Sequence, residues 1–260
     1  MDLNHLIEKV KGAAIDAGIA ILNVYQNESN FRITEKKDKS PLTIADKKAN
    51  DVICKILKEV SPEIPIISEE NKQIPYSERK NFKYAWLVDP LDGTKEFIKK
   101  NGEFTVNIAL IYKEHIVLGV VYVPVTDELY WAIKGQGAFF LHKKTKSQRL
   151  RAPQFKMDDV GLNVVCSRSH LNEKTATFIG KLNEPNKVSK GSSLKFLILA
   201  QGKAHLYPRL APTMEWDTGA AQIILEESGG SVINEETGLP VIYNKKKLLN
   251  PFFIAYGNLK

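Results

Sequence analysis

Cysteine is scarce. The 260 residues hold only Cys54 and Cys166. They lie far apart, and neither stands at a redox or metal-ligand spacing. A disulfide scaffold and a zinc site are excluded, and both thiols are expected reduced and buried, as in a cytoplasmic chain. Cys166-Ser-Arg also lacks the Cys-x5-Arg spacing of a thiolate phosphate cradle, so a cysteine nucleophile is excluded. No apolar run approaches the ~20 residues of a membrane span. The start, Met1-Asp-Leu-Asn-His5, has neither a basic nor an apolar leader region, so no secretory signal is expected. Internal repeats and low-complexity stretches are missing. The 37 Lys and Arg exceed the 30 Asp and Glu, for a net charge of +7. The lysines cluster in loop-like places, at Lys36-Lys37, Lys99-Lys100, Lys143-Lys144 and Lys245 to Lys247. No aromatic platform is interleaved with them, which argues against nucleic acid as a partner. A basic chain whose clearest motif is acidic suggests an anionic ligand brought to a metal.

What is present is an ordinary globular composition, 43% hydrophobic and 26% charged. Leu6, Val10, Ala14, Ala17, Ile21 and Val24 recur at helical spacing. Thr43 reads as the N-cap of a second helix with Val52, Ile53, Ile56, Leu57 and Val60 as its buried stripe. Strands are expected over 64–67, 84–89, 104–112, 116–123 and 129–133, with Lys113-Glu114-His115 as a hairpin turn and Pro90 stopping sheet pairing after the apolar run Tyr84 to Val88 and Asp89. The polar, basic, aperiodic stretch 143–153 predicts a boundary between units 1–150 and 151–260. The second unit alternates: a strand over 160–165, helices over 172–182 and 192–201, a strand over 204–210, a helix over 218–228 and a strand over 231–234. The expected class is α+β in the first unit and α/β in the second.

Carboxylates recur where elements end. In Asp89-Pro-Leu-Asp-Gly-Thr94 two acids stand three residues apart on a tight turn, with the Leu91 carbonyl between them and the Thr94 hydroxyl just beyond. Acids held that close repel each other, and a hard cation with oxygen ligands relieves them. Glu69 follows another strand, Asp217 starts a helix, and Asp46 lies in the first turn of the second helix. Each has a rival reading. Thr43-x-x-Asp46 resembles a capping box, Asp217 suits a helix start, and Glu69-Glu70 suits a surface loop. Together they could build a two- or three-metal site. Gly191-Ser-Ser-Leu-Lys195 opens a helix and could receive an anion, or be a plain Ser cap with a surface lysine. Arg209 could form a bidentate phosphate contact or a surface salt bridge. His170 alone reads as a surface histidine.

Glu-Glu after a strand, Asp-Pro-Leu-Asp-Gly-Thr, and Trp216-Asp-x-x-Ala-Ala together resemble the inositol monophosphatase superfamily of lithium-sensitive, magnesium-dependent phosphatases. Ser40-Pro-Leu-Thr-Ile-Ala-Asp46, Lys95 to Leu110, Ser167-Arg-Ser-His170, Gly191 to Phe196 and Leu206-Tyr-Pro-Arg209 are similar to its 3'(2'),5'-bisphosphate nucleotidase branch. The resemblance runs from the first helix to about Gly238; Gly219 departs from the superfamily's Ala. It implies a layered αβαβα sandwich of the inositol monophosphatase and fructose-1,6-bisphosphatase type. Implied activity is metal-assisted removal of the 3'-phosphate of adenosine 3',5'-bisphosphate, linked to sulfur metabolism. It implies two or three Mg2+ held by Glu69, Asp89, the Leu91 carbonyl, Asp92 and Asp217. Asp46, Thr94 and Glu69 would serve the attacking water. Gly93, Thr94, His170, Ser192, Lys195, Arg209 and Asp217 would meet the nucleotide. A monomer or homodimer in the cytoplasm, or at the inner face of the cell membrane, follows. The rival within the superfamily is an inositol or sugar monophosphatase; rivals from other classes are a basic nucleic-acid-binding module and a metal-binding structural protein.

Overall fold

Alternation along the strands sets the layers. In the strand Tyr84–Asp92, Ala85 and Leu87 join one buried cluster while Trp86 and Val88 join another. Successive strand side chains point to opposite faces, so this sheet is covered on both sides. The computed structural model describes residues 1–27, 33–35, 41–143, 145–166 and 172–260. Its helices are α1 (Leu3–Gln26), α2 (Ile44–Val60), α3 (Tyr76–Arg79), α4 (Thr94–Ile98), α5 (Glu173–Ile179), α6 (Leu194–Ala200) and α7 (Glu215–Glu227). A short antiparallel pair, β1 (Ile33–Glu35) and β2 (Pro41–Thr43), precedes α2. The first large sheet runs in chain order: β3 (Ile66–Ser68), β4 (Tyr84–Asp92), β5 (Thr105–Tyr112), β6 (His115–Val123), β7 (Glu128–Ile133), β8 (Gly137–His142) and β9 (Gln148–Arg149). Only β3 and β4 pair in parallel there. β10 (Gln154–Phe155) pairs with β16 (Asn258–Leu259). The second large sheet holds β11 (Asn163–Cys166), β12 (Asn186–Ser189), β13 (Leu206–Arg209), β14 (Ser231–Asn234) and β15 (Phe253–Tyr256), in the order β12-β11-β13-β15-β14.

The result is an αβαβα sandwich. α1 and α2 bury Val10, Ala17, Ile53 and Leu57 against Trp86, Val88, Ile108 and Leu110 of the first sheet. α6 and α7 lie between the sheets, with Phe196, Ala220 and Ile224 in one core with Leu87, Ala109, Tyr207 and Phe253. α5 covers the outer face of the second sheet through Ile179, Val164 and Cys166. α7 lies very close on β6: a Cβ at Gly119 would stand 2.5 Å from Ile223 Cγ2 and 2.6 Å from the Ala220 carbonyl oxygen. Both cysteines are free and buried. Among the described residues no helix is long and apolar enough to cross a membrane.

Several expectations are corrected. β4 does not stop at Pro90 but continues to Asp92 across a register shift in its pairing with β5. The buried face of α2 is Ala45, Ala49, Ile53 and Leu57, together with polar Asp46 and Asn50. Val52, Ile56 and Val60 only flank it, because small residues let the helix approach the sheet on the alanine side. The strand expected from Val160 starts at Asn163, and Val160 is 65% exposed in a turn. α7 begins at Glu215, so Asp217 is its third residue rather than its first. α5 and α6 are shorter than expected. Strands β8, β12 and β15 and the short β1, β2, β9, β10 and β16 were not anticipated.

Candidate active site

One end of the first sheet collects the acids. Asp89 lies on the same face of β4 as Ala85 and Leu87, the face that α7 covers. The backbone N–H of Glu69 donates to the Val88 carbonyl at 3.1 Å, which carries the residue after β3 alongside β4. Asp217 arrives from the first turn of α7, where its Oδ2 accepts from the Met214 N–H at 2.9 Å. Carboxylate oxygens of Glu69, Asp89 and Asp217 all lie within 4.8 Å of one another. Thus Asp217 both caps its helix and faces the other acids; the two sequence readings coexist.

The turn after Asp89 is built by its own side chains. The Leu91 N–H donates to Asp89 Oδ1 at 3.1 Å. Thr94 Oγ1 stands 3.4 Å from the Leu91 carbonyl and 3.2 Å from Asp46 Oδ1. Gly93 has φ +94, and a Cβ there would meet the Glu103 carbonyl at 3.0 Å, so the turn needs glycine. Asp46 Oδ2 accepts from the Thr43 N–H at 2.8 Å and from its hydroxyl at 2.6 Å, forming the capping box while Oδ1 faces Thr94. Asp92 stands outside the carboxylate trio. Its Oδ2 accepts from the Ser192 hydroxyl at 2.6 Å and the Ser193 hydroxyl at 2.9 Å.

Electrostatics make this cluster costly as it stands. Burial, then Glu69, Asp92, Asp217 and Asp46, push the Asp89 carboxyl well above the usual carboxylate range. Burial, then Asp92, does the same to Asp217. Asp89 is only 2% exposed. Convergent, mutually repelling oxygen donors, with a peptide carbonyl beside them, fit a hard divalent cation.

A cleft of about 500 Å³ opens beside the acids, lined by Asp92, Gly93, Ser192, Lys195, Arg209 and Asp217. Lys195 Nζ donates to the Ser192 carbonyl at 2.7 Å and lies 5.7 Å from the Tyr207 ring centroid. Burial pulls its ammonium down to about 8; Asp92 opposes that shift and Arg209 adds to it. Arg209 Nη2 donates to the Pro212 carbonyl at 2.9 Å, while its Nε is buried without a hydrogen-bond partner among the described residues. Ser192 and Ser193 also line the cleft, and their hydroxyls lie within hydrogen-bond distance of Asp92 Oδ2. His170 lies outside the described residues.

Sequence reasoning missed two groups. Lys95, Lys99 and Lys190 add positive charge to the cleft wall. Thr105 and Asn107 are buried beneath the serines. Their signal was available: two polar residues on one face of an otherwise apolar strand, each needing a partner.

The inositol monophosphatase family model matches residues 2–252. The chain is 41% identical over 252 residues to the 3'(2'),5'-bisphosphate nucleotidase CysQ of Salmonella typhimurium, over 95% of this chain and 98% of that protein. Identity to the protein of that name in Escherichia coli K12 is 40%, with the same coverage. The crystal structure of CysQ from Bacteroides thetaiotaomicron, a bacterial member of the inositol monophosphatase family, aligns at TM-score 0.86 and 40% identity over 98% of each chain. The inositol monophosphatase of Anabaena shares the fold at TM-score 0.76 and 23% identity, over 99% of this chain and 93% of that one.

Proposed function

The chain belongs to the inositol monophosphatase family, and from that premise we propose that it is a magnesium-dependent 3'(2'),5'-bisphosphate nucleotidase. Its substrate is adenosine 3',5'-bisphosphate, and its products are AMP and phosphate. One observation carries the reading: the carboxylate trio and a cationic cleft adjoin, with Asp217 in both. A nucleotide bisphosphate needs both, one for the phosphate cleaved and one for the phosphate kept. The relatives at 40–41% identity over almost the whole chain bear that name.

On this reading Glu69, Asp89, the Leu91 carbonyl, Asp92 and Asp217 hold two or three Mg2+. When bound, the cations supply Lewis acidity at the phosphoryl oxygens and acidify water. The chain's own residues do the rest. The Thr94 hydroxyl donates a hydrogen bond to Asp46, which leaves its oxygen lone pairs to accept from the attacking water, and Glu69 faces the same space. Ser192, Lys195 and Arg209 hold the 5'-phosphate and sugar end in the adjoining cleft, Arg209 with the planar fork that suits phosphate. Gly93 keeps the turn open to the substrate, and we include His170 among the nucleotide contacts. Residues 1–150 would then supply most cation ligands, and 151–260 would supply Asp217 and the nucleotide contacts. We place the enzyme in the cytoplasm, acting as a monomer or homodimer on a small molecule and not on nucleic acid.

Phosphate release from adenosine 3',5'-bisphosphate and from inositol 1-phosphate, each with magnesium and with chelator, tests the reading. Turnover of the nucleotide that needs magnesium and exceeds that of the inositol ester is expected. Preference for the inositol ester would reduce the function to a general phosphatase of the family, and turnover in chelator would overturn the metal assignment.

A further inference from the structure

β5 places Thr105 and Asn107 opposite the acidic turn. In the register of the two strands Asn107 faces Asp89 and Thr105 faces Asp92, on either side of the shift at Pro90 and Leu91. Both side chains are buried, 0% and 1% exposed. Thr105 Oγ1 lies 3.1 Å from Asn107 Oδ1 and 2.7 Å from Ser192 Oγ. The Asn107 amide donates from Nδ2 to Ser193 Oγ at 3.0 Å. Ser193 Oγ in turn lies 2.9 Å from Asp92 Oδ2 and 2.9 Å from the Asp217 carbonyl. Ser192 Oγ lies 2.6 Å from Asp92 Oδ2.

Counting protons gives the chain a direction. An amide nitrogen only donates, so Asn107 Nδ2 occupies Ser193 Oγ as an acceptor and forces the Ser193 proton outward. The outward acceptors are Asp92 Oδ2 and the Asp217 carbonyl. With the Ser192 proton on its 2.6 Å contact to Asp92, the 2.7 Å contact between Thr105 Oγ1 and Ser192 Oγ needs the Thr105 proton, so Thr105 holds Ser192 as an acceptor. The 2.6 Å contact to a carboxylate marks the Ser192 proton as lying on Asp92 as well. The Ser192 proton therefore points to Asp92 Oδ2 and the Ser193 proton is shared between Asp92 Oδ2 and the Asp217 carbonyl, each serine being held as an acceptor by one β5 side chain, Ser192 by Thr105 and Ser193 by Asn107.

We infer that Asn107, with Thr105, is a positioning residue for Asp92. Asn107 orients the Ser193 hydroxyl and Thr105 the Ser192 hydroxyl, so that both fix Asp92 Oδ2 and leave Oδ1 as the cation ligand. This inference rests on the reading of Asp92 as a magnesium ligand. Ser193 is the hinge of the device, because it also holds the Asp217 backbone. Asn107 thus sets the spacing between an acid of the first sheet and an acid of α7 without touching substrate or cation.

A double-mutant cycle read by metal binding tests it. Magnesium affinity of the full-length protein is measured by calorimetry, and activity is titrated against magnesium in parallel. Asn107→Leu removes the amide, and Asn107→Asp keeps the shape but converts the donor to an acceptor, which draws the Ser193 proton inward. Both are expected to weaken magnesium binding roughly tenfold, the loss of about one hydrogen bond to a charged group. KM for nucleotide at saturating magnesium should stay within about twofold. In a Ser193→Ala background the Asn107 substitutions should add little, because the proton they steer is gone. Full additivity in that background, or unchanged magnesium affinity in both variants, would overturn the inference. If Asn107→Leu does not fold, the same cycle is read from Asn107→Asp and from Thr105→Val, the latter paired with Ser192→Ala. Wild-type protein that binds no magnesium would instead sink the metal reading itself.

Discussion

Arg209→Ala should separate nucleotide recognition from catalysis. The guanidinium has five donors; one is spent on the Pro212 carbonyl, and Nε is buried with no hydrogen-bond partner among the described residues. The free protein gains little from such a group, because an unsatisfied buried donor costs about as much as a made bond returns. Truncation should then leave the melting temperature within about 2–4 °C, the shift that ~1 kcal/mol gives in a chain of this size. Substrate binding is different. A 5'-phosphate that pairs with Arg209 makes a charge-assisted contact worth on the order of 1.5–3 kcal/mol. Its loss should lower kcat/KM for adenosine 3',5'-bisphosphate roughly ten- to a hundredfold. Inositol 1-phosphate has no second phosphate and should lose less than about threefold. Parallel phosphate-release assays on both substrates, with a melting curve of each protein, decide the matter. Equal losses on the two substrates, or a melting temperature that falls by more than the stated range, would refute the reasoning and return Arg209 to a structural role.

Three further outcomes follow from the site and its core. Asp89→Asn should cut turnover on the order of a hundredfold or more, yet raise the melting temperature of metal-free protein, since burial and four neighbouring acids all oppose its charge; a lower metal-free melting temperature would count against the repulsion. Asp89 and Asp217 are held above their unfolded values, so between those values the folded chain binds more protons and stability falls as pH rises. Metal-free protein should therefore melt higher near about pH 5 than near about pH 7.5, and saturating magnesium should flatten that difference; differential scanning calorimetry with chelator and with magnesium reads both. Gly219→Ala should stabilise by about 0.5–1 kcal/mol through helix propensity, because the added methyl meets Ile116 Cδ1 at 3.2 Å, a side-chain tip that can move; a lower denaturation midpoint would mean the pocket is rigid.

The acids of the candidate site stand out in the sequence because each sits in a recognisable local pattern, though only the fold brings Glu69, Asp89 and Asp217 together. Asp89, Leu91, Asp92 and Thr94 share one turn, and Asp46 and Asp217 sit at the third positions of their helices, where capping gives a recognisable pattern. The five-layer order came from motif likeness and not from periodicity. Thr105 and Asn107 were overlooked because their role depends on the register of β5 against β4 and on a loop far along the chain. A Gly-Ser-Ser helix start is open to two readings in the sequence, an anion seat or a plain cap; what the sequence does not show is that both hydroxyls reach Asp92. The α2 stripe was right at Ile53 and Leu57 but drifted to Val52, Ile56 and Val60, because the rest of the buried face is alanine, cysteine and partnered polar groups, which a search for large apolar residues passes over. Pro90 misled in another way. A bulge tolerates the missing N–H, so the strand survives it.

The strand order of the second sheet fixes when the enzyme can finish folding during synthesis. β15 lies between β13 and β14, yet the ribosome makes it after both. The antiparallel meander from β4 to β9 can zip up in the order it emerges, each strand meeting the one just before it. β14 has no such neighbour until β15 arrives. The segment leading to β15 also straps the start of α7: the Glu215 N–H donates to the Leu248 carbonyl, and Asn250 Nδ2 donates to the Met214 carbonyl at 2.8 Å and to Thr218 Oγ1 at 2.9 Å. Asp217 sits inside that strap. A nascent chain stopped short of this segment would carry most of the acids but hold the one on α7 loosely, so the acidic centre is completed only after β14 has been made.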